Sequence, residues 1–219
     1  PVSSSDVSTG SSVQLKTTTT VTDQGYTDII SRWKFDESSG VTANDDVSGY
    51  DGTINADTTY DFLGAASIHG EGGASYDFSN GDTVDVSHSY SQNSYTVSGW
   101  FVADSVSTGD VVIDGPGWSL EAVTPTNVEL VAGGSGSSSS IDISSGRFIA
   151  ILVDGNGVET LSGKTLEPSV SASIDPTGTI SFGGGYTGRM QDVRFWSKQI
   201  SGDRYNLLKD NPTMKYPAE

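Results

Sequence analysis

Phe148-Ile149-Ala150-Ile151-Leu152-Val153 is a run of six apolar residues. Both parities are apolar, so a strand built from it has no polar face and belongs in the centre of a covered sheet. The run is the longest clean apolar stretch in the chain and falls far short of the roughly 20 residues of a membrane-spanning helix. Working outward, further strands are expected at residues 65–69, 83–86, 95–102, 111–114, 128–132, 179–182 and 190–197, and one starts at Trp33-Lys34-Phe35. Gly, Ser and Asp separate them at roughly 8–16-residue intervals, the punctuation of a β-sandwich. Tyr50-Asp51-Gly52-Thr53 carries an Asp-Gly hairpin signal. Gly133 to Ser140 reads as a flexible loop, and residues 200–209 as one short helix with Ser201 as its cap.

The composition narrows the function. The 219 residues hold 11 Lys plus Arg against 28 Asp plus Glu, a net charge of −17. Of the acids, 21 are Asp and only 7 Glu, and Ser, Thr and Gly together number 84. Such a chain repels phosphate backbones, which argues against nucleic-acid binding. With no cysteine there is no disulfide, thiol nucleophile or cysteine-ligated zinc, and two histidines, His69 and His88, do not make a His-rich metal site. A folded chain at −17 needs its self-repulsion reduced. Multimolar salt does so, because the Debye length is about 3 Å at 1 M. The expected setting is therefore a very salty one, the alternative being an ordinary acidic secreted or viral surface protein.

Residues 1–28 differ from the rest. Ser3-Ser4-Ser5, Ser11-Ser12 and Thr17 to Thr20 form a hydroxyl-rich tract with few apolar anchors. It reads as an extended arm that serves as an anchor or an oligomer contact. Residues 29–210 make up the sandwich, and 211–219 an extended tail. The chain shows no basic segment followed by an apolar export core, and Pro1 suits removal of an initiator methionine, so the expectation is a nearly complete cytoplasmic translation product.

The order of motifs resembles the concanavalin A-like, laminin-G-like jelly-roll family. The pieces are Trp33-Lys-Phe-Asp36-Glu-Ser-Ser-Gly40, Asp46-Val-Ser-Gly49-Tyr-Asp-Gly52-Thr, Gly64-Ala-Ala-Ser-Ile and Gly81-Asp-Thr-Val-Asp-Val. Tyr95-Thr-Val-Ser-Gly-Trp100-Phe and Gly188-Arg-Met-Gln-Asp192-Val-Arg194-Phe-Trp196 complete the set. Ser145-Gly146-Arg147-Phe148 departs from the Gly-x-Trp usual before the family's central strand. The resemblance implies an all-β fold: a two-sheet antiparallel jelly-roll sandwich, concanavalin A/laminin-G-like, with an extended N-terminal arm and one short C-terminal helix. It also implies one structural Ca²⁺ between the first and last strands, with Asp36, Asp46 and Asp192 as ligands, since carboxylate oxygens suit this ion. The alternative for Asp192 is hydrogen bonding to backbone N–H groups near the last strand.

Enzymatic chemistry has little support. Asp82 with Asp85, or Asp45 with Asp46, could pair as glycosidase carboxylates, but a chance Asp pair is expected in so Asp-rich a chain. The Glu-x-Asp-x-x-Glu triad of related glucanases is absent, as is a Gly-x-Ser-x-Gly elbow. For sugar binding, Trp118, which follows the Gly115-Pro116-Gly117 turn, is the first candidate platform and Tyr60 and Tyr186 are the others, with packing over a sheet edge as the alternative for each. Trp33, Trp100 and Trp196 are expected in the core, and Arg189 and Arg194 in ion pairs with Asp192 or Glu37.

The expected function is a non-catalytic surface protein of a virus infecting a halophile, a capsid decoration, spike or tail fibre, with an adhesion-type sandwich for host-surface glycans. Its partners would be other virion structural proteins, held through residues 1–28, and further copies of itself in a homo-oligomer, with neither nucleic acid nor membrane insertion involved. The alternative is a carbohydrate-binding module of a secreted halophilic enzyme or adhesin, which would be extracellular.

Overall fold

A computed structural model describes residues 28–56, 65–69, 73–79, 81–89, 92, 94–162, 165–166, 169–174 and 177–211. The strands are, in chain order, β1 (Ile29–Trp33), β2 (Thr42–Ala43), β3 (Gly52–Asn55), β4 (Ala65–Ala66), β5 (Ala74–Phe78) and β6 (Thr83–Ser89). Then come β7 (Ser94–Ser105), β8 (Asp110–Gly115), β9 (Trp118–Thr124), β10 (Asn127–Ala132), β11 (Ser135–Ser139) and β12 (Arg147–Asp154). The last are β13 (Gly157–Ser162), β14 (Thr165–Leu166), β15 (Val170–Ser171), β16 (Thr177–Gly183) and β17 (Thr187–Trp196), followed by helix α1 (Gly202–Asp210).

Two antiparallel sheets face each other. The first runs β14-β13-β12-β7-β17-β5-β4, with β1 also on β17 and β15 on β13. The second runs β11-β10-β9-β8-β16-β6-β3-β2. The core between them takes Val97 and Phe101 of β7, Ile149 and Ile151 of β12, and Phe195 of β17 from one side. From the other it takes Val84 and Val86 of β6, Leu120 of β9, and Ile180 and Phe182 of β16. This is the alternation expected of a sandwich.

The opening run sits as its pattern requires. β12 lies between β13 and β7. Its other parity, Phe148, Ala150 and Leu152, forms a second cluster with Trp196, Ile200, Tyr205 and Leu208. Helix α1 therefore covers the outer face, and Tyr205 donates its hydroxyl to the Phe148 carbonyl at 2.7 Å. Ser201 caps α1 by accepting from Arg204 N, while Asp203 and Lys209 sit at the ends that complement the helix dipole.

Four local expectations change. Residues 133–140 are not a loop, because Ser135–Ser139 pairs with β10 as an edge strand. An edge strand needs only backbone partners, so its serines give no apolar signal. The strand at Trp33 ends there instead of starting, and Phe35 takes a left-handed φ of 58°. The Asp51-Gly52 pair is not a two-residue turn. Gly52 lies within β3, where a Cβ would meet Val84 Cγ1 at 2.6 Å. Finally, Trp100 is only half-buried, on the outer face of the first sheet against Phe148 and His69. Trp33 and Trp196 are core residues, as expected.

Candidate functional site

Trp118 and Tyr186, two of the residues singled out as sugar platforms, are buried and do not form one. Trp118 is 3% exposed. Its ring folds back over Gly115, where a Cβ would lie 2.2 Å from the indole. Its N–H donates to the Tyr95 hydroxyl at 2.6 Å. Burial pushes the Tyr95 phenol up to about 12, against the pull of the Trp118 bond. Tyr186 is fully buried, and its hydroxyl donates to the Val102 and Arg189 carbonyls. Burial raises its pKa, and Asp104 adds to the rise. Both residues follow glycine turns, but the turns aim them inward. Tyr60 lies outside the described residues.

Asp36, Asp46 and Asp192 do not converge either. Asp192 sits on a bulge of β17 with φ 54° and is 3% exposed. Arg32 Nε donates to its Oδ1 at 2.6 Å, and Arg194 grips both of its carboxylate oxygens. Burial alone would raise the Asp192 pKa, but Arg194 and then Arg32 outweigh it and hold the carboxyl below its ordinary value. Asp46 pairs with Lys34 at 2.6 Å. Asp36 is pushed up, desolvation outweighing Lys34 and the neighbouring acids Glu37 and Asp46 adding to the rise. Among the described residues no three His, Asp or Glu side chains are grouped to hold a metal. The trio therefore does not fit a calcium ion, because Arg32 and Arg194 occupy the Asp192 carboxylate and Lys34 that of Asp46. The expected Arg194–Asp192 pair is present and buried, whereas Glu37 instead accepts from Tyr76 and Asn44.

The two Asp pairs are committed to structure. The Asp45 carboxylate accepts backbone N–H bonds from Arg32, Val47, Ser48 and Tyr50. Asp82 is buried and accepts from Ser79 N and Oγ. Asp85 accepts from Asn55 Nδ2 at 2.7 Å and from Ser181 Oγ.

Asp85 belongs to a feature that sequence reading missed. Cross-strand register links Thr42, Thr53, Asp85, Ser181, Asp114, Ser119, Val131 and Gly136 in one row over all eight strands of the second sheet. The row lies on the outer face, because the residues flanking it, such as Val84, Val86, Ile180, Phe182 and Leu120, point into the core. Two residues along, Glu121 stands opposite Glu129, and Glu129 opposite Ser138. Gly136 makes room for this: a Cβ there would meet Glu129 Oε1 at 2.1 Å. Ser119 donates to Glu121 Oε1 at 2.8 Å. Asp114 is exposed, and its carboxyl is pushed up by desolvation and then by Glu121.

Charge separates the two layers. The eight strands of the second sheet contain Asp85, Asp110, Asp114, Glu121 and Glu129 but no Lys or Arg. Apart from Lys34, on the connection after β1, the described cations lie on the first sheet and around α1, where Arg204 covers the Trp196 ring at 5.3 Å and Lys198 pairs with Asp28 at 2.9 Å. The second sheet's strands thus carry hydroxyls, amides and carboxylates with no Lys or Arg among them. Alternation within each strand was legible beforehand; the lateral register that aligns these residues was not.

No family model matches the chain, and neither does any curated protein. Solved structures do share the fold. The receptor binding domain of botulinum neurotoxin D superposes with a TM-score of 0.61 at 16% identity, over 84% of this chain and 53% of that one. The binding domain of botulinum neurotoxin DC in complex with SialylT gives 0.60 at 16% identity, over 84% and 51%. The same domain in complex with rat synaptotagmin II gives 0.60 at 16%, over 84% and 52%. This chain spans about half the length of those chains, and the likeness shows the two-sheet sandwich fold.

Proposed function

We propose that this domain is a non-catalytic binding module that holds a glycan across the outer face of its second sheet. The observation that carries the reading is the eight-strand row from Thr42 to Gly136. Sugar hydroxyls both donate and accept, and the row offers carboxylate acceptors beside hydroxyls that do both. Asp85 is already oriented by Asn55 and Ser181, so part of the ordering cost of binding is met beforehand. Each hydrogen bond contributes about 0.5–1.5 kcal/mol net, so several along one chain are needed for useful affinity. The absence of Lys and Arg from the sheet favours glycans without acidic groups. The toxin domains that share the fold are themselves recognition domains, one in complex with SialylT and one with synaptotagmin, which is consistent with an adhesion role.

The finer setting is the surface of a virus particle from a salty habitat, with residues 1–28 as the anchor and further copies as partners. The net charge of −17 and the hydroxyl-rich tract support it. A glycan array probed at low and multimolar NaCl tests the binding reading. The wild-type chain should bind at least one glycan, and Asp114→Ala with Ser181→Ala should weaken that binding about tenfold, the equivalent of one or two hydrogen bonds. Absence of any bound glycan, or indifference to these substitutions, would overturn it. Particles that incorporate a chain lacking residues 1–28 at the normal level would remove the anchoring role alone.

A further inference from the structure

Among the described residues the exposed large apolar side chains are Val41, Val47 and Tyr50, at 60%, 42% and 37% exposure. All three flank the two-residue edge strand β2: Val41 precedes it, and Val47 and Tyr50 lie on the connection to β3. Exposed apolar residues gathered in one stretch mark an interaction site more often than isolated ones do.

The connection is held in one shape. Asp45 collects N–H bonds from Val47, Ser48 and Tyr50 as well as Arg32. The Asp45 N–H in turn donates to Asp51 Oδ1 at 2.8 Å. Ser48 Oγ donates to the Ile30 carbonyl at 2.6 Å, and the Trp33 indole donates to the Tyr50 carbonyl at 2.9 Å. Trp33 is fully buried, so the loop is bolted to the core. Its apolar tips are therefore presented with little ordering left to do on binding.

The surroundings select the partner. Residues 34–51 contain Asp36, Glu37, Asp45, Asp46 and Asp51 against Lys34 alone, and Lys34 is paired with Asp46. A second copy of this chain is a poor match, because it carries a net −17 and Arg32, Arg194, Lys198, Arg204 and Lys209 are already in ion pairs. A bilayer with anionic headgroups is repelled for the same reason. Two valines beside one tyrosine offer a sugar little to hydrogen-bond, whereas tyrosine is one of the residue types in which protein hot spots are enriched.

We infer that the β2–β3 connection is a docking surface for another protein, one that presents an apolar pocket rimmed by Lys or Arg to Val47 and Tyr50, with Val41 at the margin. This surface adjoins the Thr42 end of the polar row, but the inference does not depend on the glycan reading.

A random peptide library displayed on phage tests it, selected on the full chain and counter-selected on the triple variant V41T/V47T/Y50S. The expected result is a set of peptides that combine aromatic or aliphatic residues with Lys or Arg and bind the triple variant at least about thirtyfold more weakly, the loss typical of a hot spot. Retained binding by Tyr50→Phe and loss by Tyr50→Ala would support it further, and these single variants replace the triple one should its melting curve show misfolding. Peptides that bind both proteins equally, or that lack basic residues, would overturn the inference. So would loss of glycan binding in the triple variant, which would assign the loop to the sugar site. A wild-type dimer in sedimentation velocity that the variant abolishes would assign it to self-association instead.

Discussion

The indole N–H of Trp118 and the hydroxyl of Tyr95 meet at 2.6 Å in the buried space between the two sheets. Trp118 belongs to β9 of one sheet and Tyr95 to β7 of the other. The bond gives two large aromatic side chains a polar register across an otherwise non-directional core.

Removing that hydroxyl tests its worth. Tyr95→Phe leaves a buried indole donor without a partner and should cost about 1–3 kcal/mol. Urea unfolding measures it, and adding Trp118→Phe should recover part of the loss, because no orphan donor then remains. The same phenol gives an alkaline signature. Burial pushes it up to about 12 in the folded state, above the ordinary tyrosine value of about 10, so its contribution is complete below pH 10 and is lost as pH rises toward 12. The wild-type melting temperature should fall over that window more steeply than that of Tyr95→Phe.

Asp192 gives the opposite sign. Its folded pKa lies below its ordinary value because Arg194 and Arg32 outweigh burial. Its contribution is therefore present above about pH 4, the usual Asp value, and is lost as pH falls through the folded pKa. Asp192→Asn should remove this acid-side slope. At neutral pH it should also destabilise by about 3–5 kcal/mol, since it leaves two guanidinium groups without their counter-charge in a buried site. Equilibrium unfolding of both proteins between pH 2 and pH 7 measures the two effects together.

Gly115→Ala should be poorly tolerated. The new Cβ would sit 2.2–2.5 Å from three atoms of the Trp118 ring, so the indole must move and its bond to Tyr95 must break. Overpacking of this kind costs about 1–3 kcal/mol, to which the orphaned hydrogen bond adds. A shift in the near-ultraviolet circular dichroism of tryptophan, with a lowered melting temperature, is the expected readout.

Salt should stabilise the chain well past the point of ordinary screening. The net charge is −17 and the second sheet holds no cation within its strands, so the folded state carries like charges close together. The melting temperature should continue to rise in NaCl or KCl beyond 1 M, where the Debye length is already about 3 Å. A flat profile between low and multimolar salt would remove the halophilic setting and leave the fold intact.

The sandwich was legible because strand cores are written as alternation and turns as Gly, Ser and Asp. Phe148 to Val153 was readable as doubly covered from its two apolar parities, and α1 as a short helix over residues 200–209 from Ser201 as its cap. β11 was not, because Ser135-Gly136-Ser137-Ser138-Ser139 carries no apolar signal and is held by backbone bonds to β10. The site was less legible than the fold. Trp118 and Tyr186 looked presentable because each follows glycines, but a turn's sequence does not state which side of the sheet the next residue faces. Tyr50 is the exposed aromatic on the loop instead, and its only advance signal was the density of Asp and Ser around it.

Sequence by itself determined the fold class, the approximate strand positions, the capped helix and the sign of the surface charge, all of which follow from local periodicity, turn chemistry and counting. Tertiary structure alone decided that Arg32 and Arg194 close on Asp192, that Thr42 through Gly136 align across eight strands, and that Val47 and Tyr50 stand outward from a braced loop. Arg32 and Asp192 are 160 positions apart in the chain. Contacts at such separations depend on lateral strand order and register, and no local pattern of residues encodes those.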